Sequence, residues 1–247
     1  MILRSSKPFF GLFLYLITSL ASAQSPRVET ASQSDLSSYI KVKDGLDQWL
    51  INGTLYYSKY YNVQYHPYYS GELSLPGSVV LSGISYEDLK INYDIYSQHL
   101  VLDYQAPTGS LNKIILHPEH TDAFHLDGDY FEKISLDEQG PLFYQVITVS
   151  GLSCYIHWEK FIEPTSNNLQ YSDIFSAPKR SYFLNYSGKT YPFSNKRTFA
   201  TLCSGVPKRK IRKYMWRNSI RFSKASAEQL EGLLKYISST TTPISGN

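Results

Sequence analysis

At 247 residues, 42% hydrophobic and only 18% charged, the chain is long enough to bury a sizeable core in one domain or two small ones. The charged fraction is low for a helix-rich cytosolic enzyme and ordinary for a secreted β protein, and 22 Tyr with 12 Phe favour strands. Beyond Leu20 no apolar run approaches the roughly 20 residues of a membrane-spanning helix, which excludes a helical membrane protein.

Residues 1–23 read as a cleavable signal peptide. Arg4 and Lys7 give a positive start, Phe9 to Leu20 is almost unbroken apolar sequence, and Ala21-Ser22-Ala23 supplies the small-x-small pattern of a cleavage site. Residues 24–48 are rich in Ser, Gln, Thr and Asp and read as a flexible leader.

From Trp49 to Phe193 the hydrophobic period is two. Leu89, Ile91, Tyr93 and Ile95 alternate, as do Leu100, Leu102 and Tyr104, which predicts an antiparallel pair with one wet face. Asp127-Gly128, Ser150-Gly151 and Ser187-Gly188 mark hairpins, and Pro192 predicts an edge or a strand end. About nine or ten short strands follow, a meander, sandwich or incomplete barrel. A closed outer-membrane barrel fits poorly, because its strands need about ten residues each.

The period then changes. Ser194 is positioned to cap a short helix carrying Phe199, Leu202 and Cys203; Pro207 suits the first turn of a second helix through Trp216, with Ile211, Tyr214 and Met215 on one face. Ser226-x-x-Gln229 is a capping box opening a third helix, with Leu230, Leu233, Leu234 and Ile237 along one face. The expected architecture is mainly antiparallel β over 49–193 with two or three helices over 194–238 packed on it, in the same domain, and a disordered tail over 239–247.

Charge is divided sharply. No Asp or Glu lies between Ile174 and Ala227, a stretch that holds 13 Lys or Arg, whereas residues 24–173 carry 19 acids against 8 bases. In one reading the basic helices neutralise the acidic sheet or simply face water. In the other, Lys208, Arg209, Lys210, Arg212, Lys213 and Arg217 meet an anionic envelope component, namely lipid, lipopolysaccharide, glycan or acidic protein. Tyr214 and Trp216 interleave with these bases and suit a lipid interface, although the helix is short and not strongly amphipathic. Nucleic acid is not an expected partner outside the cytoplasm.

Other chemistry is sparse. His117, His120, His125 and Asp127 place imidazole and carboxylate ligands close in sequence, with His125 and Asp127 on one strand face; the competing reading is an exposed strand between a polar loop and a turn. Cys154 and Cys203 both read as buried, either as a disulfide that export permits or as two packed thiols. There is no nucleophile elbow, phosphate loop or dinucleotide fingerprint, so no cofactor is expected. Asp94, Asp103 and Glu163 offer carboxylates for work on a glycan, but their spacing in space is not readable from sequence.

The tyrosine-rich β body with Tyr93-Asp94-Ile95 and Leu100-Val101-Leu102, followed by the basic helix Lys208 to Arg217 and the closing Leu233-Leu234-Lys235-Tyr236-Ile237, resembles exported β-rich proteins of Bacteroidota over roughly residues 50–238. The resemblance implies a Gram-negative envelope location, periplasmic or outer-membrane-associated, and carries over no catalytic residue. The expected function is non-catalytic binding or scaffolding at the envelope. A metal- or carboxylate-based hydrolase of an envelope polymer and a carrier of an apolar ligand are the alternatives.

Overall fold

The computed structural model describes residues 48–106, 108–136, 140–165, 170–186 and 188–240. The expected signal peptide, the expected leader up to residue 47, Ser187 of a predicted hairpin and residues 241–247 of the expected tail lie outside the described residues.

Eleven strands form one antiparallel sheet: β1 (Thr54–Leu55), β3 (Leu75–Leu81), β4 (Ile84–Asp94), β5 (His99–Gln105), β6 (Leu111–Ile115), β7 (Thr121–Leu126), β8 (Asp129–Ser135), β9 (Pro141–Val149), β10 (Leu152–Glu159), β13 (Lys179–Tyr186) and β14 (Lys189–Phe193). Their order is β1-β6-β5-β4-β3-β7-β8-β9-β10-β13-β14, a meander broken where β3 pairs with β7. The sheet is not closed, and Pro192 sits in β14 at its free edge, where its missing N–H costs nothing. A second sheet joins β11 (Ile162–Pro164), β12 (Asp173–Phe175) and β2 (Val63–Gln64), with β2 parallel to β12. The described strands therefore exceed the nine or ten expected, because β1, β2, β11 and β12 are too short to show a period.

Two hairpins obey their turn residues. Asp127 and Gly128 have φ of 52° and 86°, and Ser150 and Gly151 have 49° and 81°, the left-handed pair that a two-residue turn matched to strand twist requires.

The sheet curls over its own concave face. Tyr93 on β4 is four strands from β9, about 19 Å across a flat sheet. Yet its ring centroid is 6.0 Å from that of Phe143 on β9, and 5.2 and 5.4 Å from those of Phe124 and Phe131. These four buried rings fill the interior.

Four helices are described: α1 (Gln48–Ile51), α2 (Lys196–Leu202), α3 (Lys208–Arg217) and α4 (Ala227–Thr240). α4 packs on β9 and β10 through Leu230, Leu233, Leu234 and Ile237. Its capping box forms as the sequence predicts, with Ser226 N–H donating to Gln229 Oε1 at 3.1 Å and Gln229 N–H to Ser226 Oγ at 3.3 Å. The helix runs to Thr240, two residues into the expected tail. α2 is capped by Asn195, not Ser194, in a reciprocal box with Thr198.

The wet face expected for the first strand pair is also overturned. The β4–β5 pair has no wet face at its far end, since Asn92, Asp94 and Val101 are all buried. The segment around β1 and β2 crosses that face. Ser74 N–H donates to Asn92 Oδ1 at 2.8 Å, and Tyr56 Oη–H donates to Asp94 Oδ2 at 3.3 Å. Asp94 also accepts the N–H groups of Tyr96 and Ser97, so the buried carboxylate is satisfied.

Candidate functional site

The acid-free stretch folds as one region: β13 and β14 at the sheet edge, then α2 and α3. Phe193, Phe199 and Phe222 hold it together, with ring centroids 4.9–5.3 Å apart. The Tyr182 hydroxyl donates to the Phe222 carbonyl from below. Between β13 and the start of α2 lies a groove of about 690 Å³, lined in part by Lys179, Arg180, Ser181, Ser194, Thr198 and Ser223, with no carboxylate in its wall.

α3 is strongly two-faced, more so than the sequence suggests. Ile211 and Met215 are buried, and Tyr214 is pinned to α4 by stacking on Tyr236 at 4.2 Å and by donating from its hydroxyl to the Gly232 carbonyl at 3.1 Å. That consumes the apolar stripe. Lys208, Arg209, Lys210, Arg212, Lys213 and Arg217 are all exposed. Arg209, Lys213 and Trp216 stand at i, i+4 and i+7 and share the outward face, and Trp216 is 80% exposed. Among the described residues the ion pairs are Lys113–Asp103, His157–Glu159, Lys179–Glu163 and Lys235–Glu231, so none of the six α3 cations is paired. Among the described residues, then, no carboxylate of the acidic sheet lies within ion-pair distance of the basic helix.

Of the proposed metal ligands, His117 and His120 are brought together, with ring centroids 5.9 Å apart beside Asn52 and Ser82, but His125 and Asp127 do not join them. His117 Nε2 contacts the Asn52 carbonyl at 2.7 Å, His120 Nδ1 lies 3.3 Å from Ser82 Oγ, and His125 packs on Tyr130 at 4.8 Å. His117 and His120 precede β7, whereas Asp127 follows it, so the strand's six residues, about 20 Å, hold the two ends apart. Among the described residues no three His, Cys, Asp or Glu side chains converge on a metal position.

The carboxylates picked out for hydrolysis are likewise dispersed. Asp94 is buried in its turn, Asp103 pairs with Lys113 at 2.9 Å, and Glu163 faces Lys179 at 3.7 Å on the surface. Cys154 and Cys203 stand as free, buried thiols. Burial pushes Cys154 up to about 12 and Cys203 up to about 11, so neither is a thiolate near neutrality.

A polar cavity of about 390 Å³ escaped the sequence reading. It lies between β8–β10 and the start of α4. Asp129 accepts from the Tyr69 hydroxyl at 2.7 Å and from Gln145 Nε2 at 2.7 Å, and Gln145 Oε1 accepts from Trp158 Nε1 at 2.9 Å. Arg180 lies over the Trp158 ring, 4.0 Å from its centroid. Burial raises the Asp129 pKa, opposed by the hydrogen bonds from Tyr69 and Gln145. The sequence signal was Gln145 itself, an amide in phase with the inward Phe143 and Ile147 of β9.

No family model, curated protein or solved structure matches the chain. Among the described residues no helix is long and apolar enough to cross a membrane.

Proposed function

We propose that the protein is exported and serves as a non-catalytic binding or scaffolding module of the cell envelope, docking on an anionic, phosphate-bearing lipid surface through the outer face of α3. The carrying observation is Trp216, 80% exposed on a face shared with cations that form no ion pair among the described residues. An indole among Lys and Arg side chains suits the headgroup level, where the ring meets acyl chain and the N–H meets water. The export signal and the resemblance to envelope proteins support the same compartment.

Magnitudes set the character of the contact. A Lys or Arg near an anionic leaflet contributes about 1 kcal/mol. All six cations together set a ceiling of about 6 kcal/mol, so the affinity is no tighter than roughly tens of micromolar. The apolar stripe of α3 is already spent on the protein core, so the helix does not sink into the bilayer and docking is reversible and salt-sensitive.

The test is charge reversal. Lys208, Arg209, Lys210, Arg212 and Lys213 are changed together to Glu, leaving Ile211 and Met215 to hold the helix. Co-sedimentation with phosphatidylglycerol-containing vesicles is expected to be lost while the circular dichroism spectrum is kept. Unchanged retention by the folded variant overturns the proposal.

A further inference from the structure

We infer that the uncovered end of β13, residues 179–181, is a docking edge for an extended acidic peptide, which adds a strand to the sheet inside the groove beside α2. This inference is independent of the α3 surface and rests on the register of the sheet edge and the charge of the groove.

Register comes first. On one side β13 pairs with β10 back to its first residue, with Ser181 opposite His157, Arg180 opposite Trp158 and Lys179 opposite Glu159. On the other side the pairing with β14 stops at Tyr182 opposite Phe193, because the chain then turns into the Asn195 cap of α2. Residues 179–181, about 10 Å of edge, are therefore left without a neighbouring strand on that side. Successive strand residues send their N–H and C=O groups to opposite edges, so at least one of these residues aims both groups away from β10. The bare edge runs along the groove of about 690 Å³, which gives a strand room to lie there.

The rest of this edge is guarded. β14 carries Pro192, which has no N–H to give a further strand, and Lys189, both devices that discourage edge pairing. Pro178, also without an N–H, precedes Lys179 and limits the open edge to residues 179–181. Unpaired strand edges are templates for another chain, and a peptide that adds to one takes its affinity from main-chain bonds and its specificity from alternate side chains. The open stretch is short, so side chains must supply much of the contact.

Charge sets the partner. Lys179 and Arg180 stand in the groove wall, no carboxylate lines it, and no Asp or Glu lies between Ile174 and Ala227. Lys179 meets Glu163 only at 3.7 Å, with both side chains half or more exposed, so a closer carboxylate displaces that pair at little cost. Arg180, already held by the Ala225 carbonyl and the Trp158 ring, contributes its charge rather than a new bond. The two-residue period then sets the pattern. Lys179 and Ser181 share one face of β13, and Arg180 and Tyr182 share the other, where the Tyr182 ring lies 5.3 Å from that of Phe222 in the groove floor. An incoming strand places an acidic residue opposite Lys179 and an apolar one on the Phe222 side, so acidic and apolar residues alternate along it.

The experiment titrates the purified protein with blocked hexapeptides of alternating Glu-Val, Glu-Ile and Asp-Val, at up to millimolar concentrations, and follows amide hydrogen exchange residue by residue by NMR. At least one peptide is expected to bind saturably and to slow exchange about tenfold at one or more of Lys179, Arg180 and Ser181. An alternating Lys-Val peptide, repelled by the wall, and an alternating Glu-Pro peptide, which lacks every second N–H, are expected to bind about tenfold more weakly. Lys179→Glu, folded by thermal melting, is expected to weaken the acidic peptide about tenfold, since an attraction becomes a repulsion. Ser223→Asp, which puts a carboxylate into another wall of the groove, carries the same expectation if Lys179→Glu does not fold. The five-fold α3 reversal leaves peptide binding unchanged, which separates this edge from membrane docking. No binding by any acidic peptide, equal binding by the Lys-Val or Glu-Pro peptide, binding without protection at residues 179–181, or full affinity in the folded variants overturns the inference. So does protection of these amides that rises with protein concentration alone, which would place a second copy of the chain on the edge.

Discussion

Arg180 clasps Trp158: its Cζ lies 4.0 Å above the indole centroid while Nη1 reaches the Ala225 carbonyl at 2.6 Å. Residues 180 and 225 stand near the two ends of the acid-free stretch, so one side chain ties both ends to the acidic sheet. A charge-assisted hydrogen bond contributes about 1.5–3 kcal/mol and a cation–π contact about 0.5–2 kcal/mol. Arg180→Ala is expected to lower stability by about 2–4 kcal/mol in urea unfolding. Arg180→Lys should recover only part of this, since an ammonium lacks the planar fork that stacks and donates at once. Full recovery by Lys would show that charge alone matters.

The four-ring interior sets a second expectation. Phe131 is fully buried and touches Tyr69, Tyr93 and Phe124. Phe131→Ala should cost about 3–5 kcal/mol, from lost burial and the cavity left behind. Tyr61, 82% exposed, is the control, and Tyr61→Ala should shift the midpoint by less than about 0.5 kcal/mol. Equal losses would contradict the curled-sheet core.

Acid sensitivity has an identified source at His66. Its Nδ1 accepts the Tyr68 N–H at 3.2 Å, which requires a neutral ring, and burial followed by the nearby Lys160 charge lowers its pKa from 6.5. The unfolded chain takes up this proton first, so the stability contributed by neutral His66 is complete above pH 6.5 and is lost as pH falls below it. The melting temperature should drop from pH 6.5 toward pH 5, and His66→Gln should flatten that drop. An identical pH profile in the variant would remove His66 from the account.

The thiols give a chemical test. Cys154 and Cys203 are buried and unpaired, so the native protein should resist a thiol-specific reagent until denatured, and then react at both sites. Its melting temperature should be the same with and without reductant. A reductant-sensitive melt would mean that the two sulfurs are joined.

What was legible in the sequence was local. Asp127-Gly128 and Ser150-Gly151 dictate their turns because few other residues accept positive φ there, and Ser226 with Gln229 dictates a helix start because both partners lie within one turn. The acid-free stretch was legible because it is counted. The burial of Asn92 and Asp94 was not, since it depends on Tyr56 and Ser74, which arrive from distant sequence. The cavity was hidden for the same reason: Tyr69, Asp129 and Gln145 meet only once the sheet has curled. The suspected metal ligands failed in the opposite way: His117 and His120 meet, but the length of β7 separates them from Asp127, their neighbour in sequence.

The central claim is that α3 docks on an anionic lipid surface, and its most direct test is co-sedimentation of the purified protein with anionic and neutral vesicles across a salt series. The Debye length shrinks from about 10 Å at 0.1 M salt to about 3 Å at 1 M. Binding to the anionic vesicles alone, declining steadily as salt rises and weakened further by Trp216→Ala, is the predicted result. Absence of binding to anionic vesicles at low salt, or equal binding to neutral ones, would contradict it.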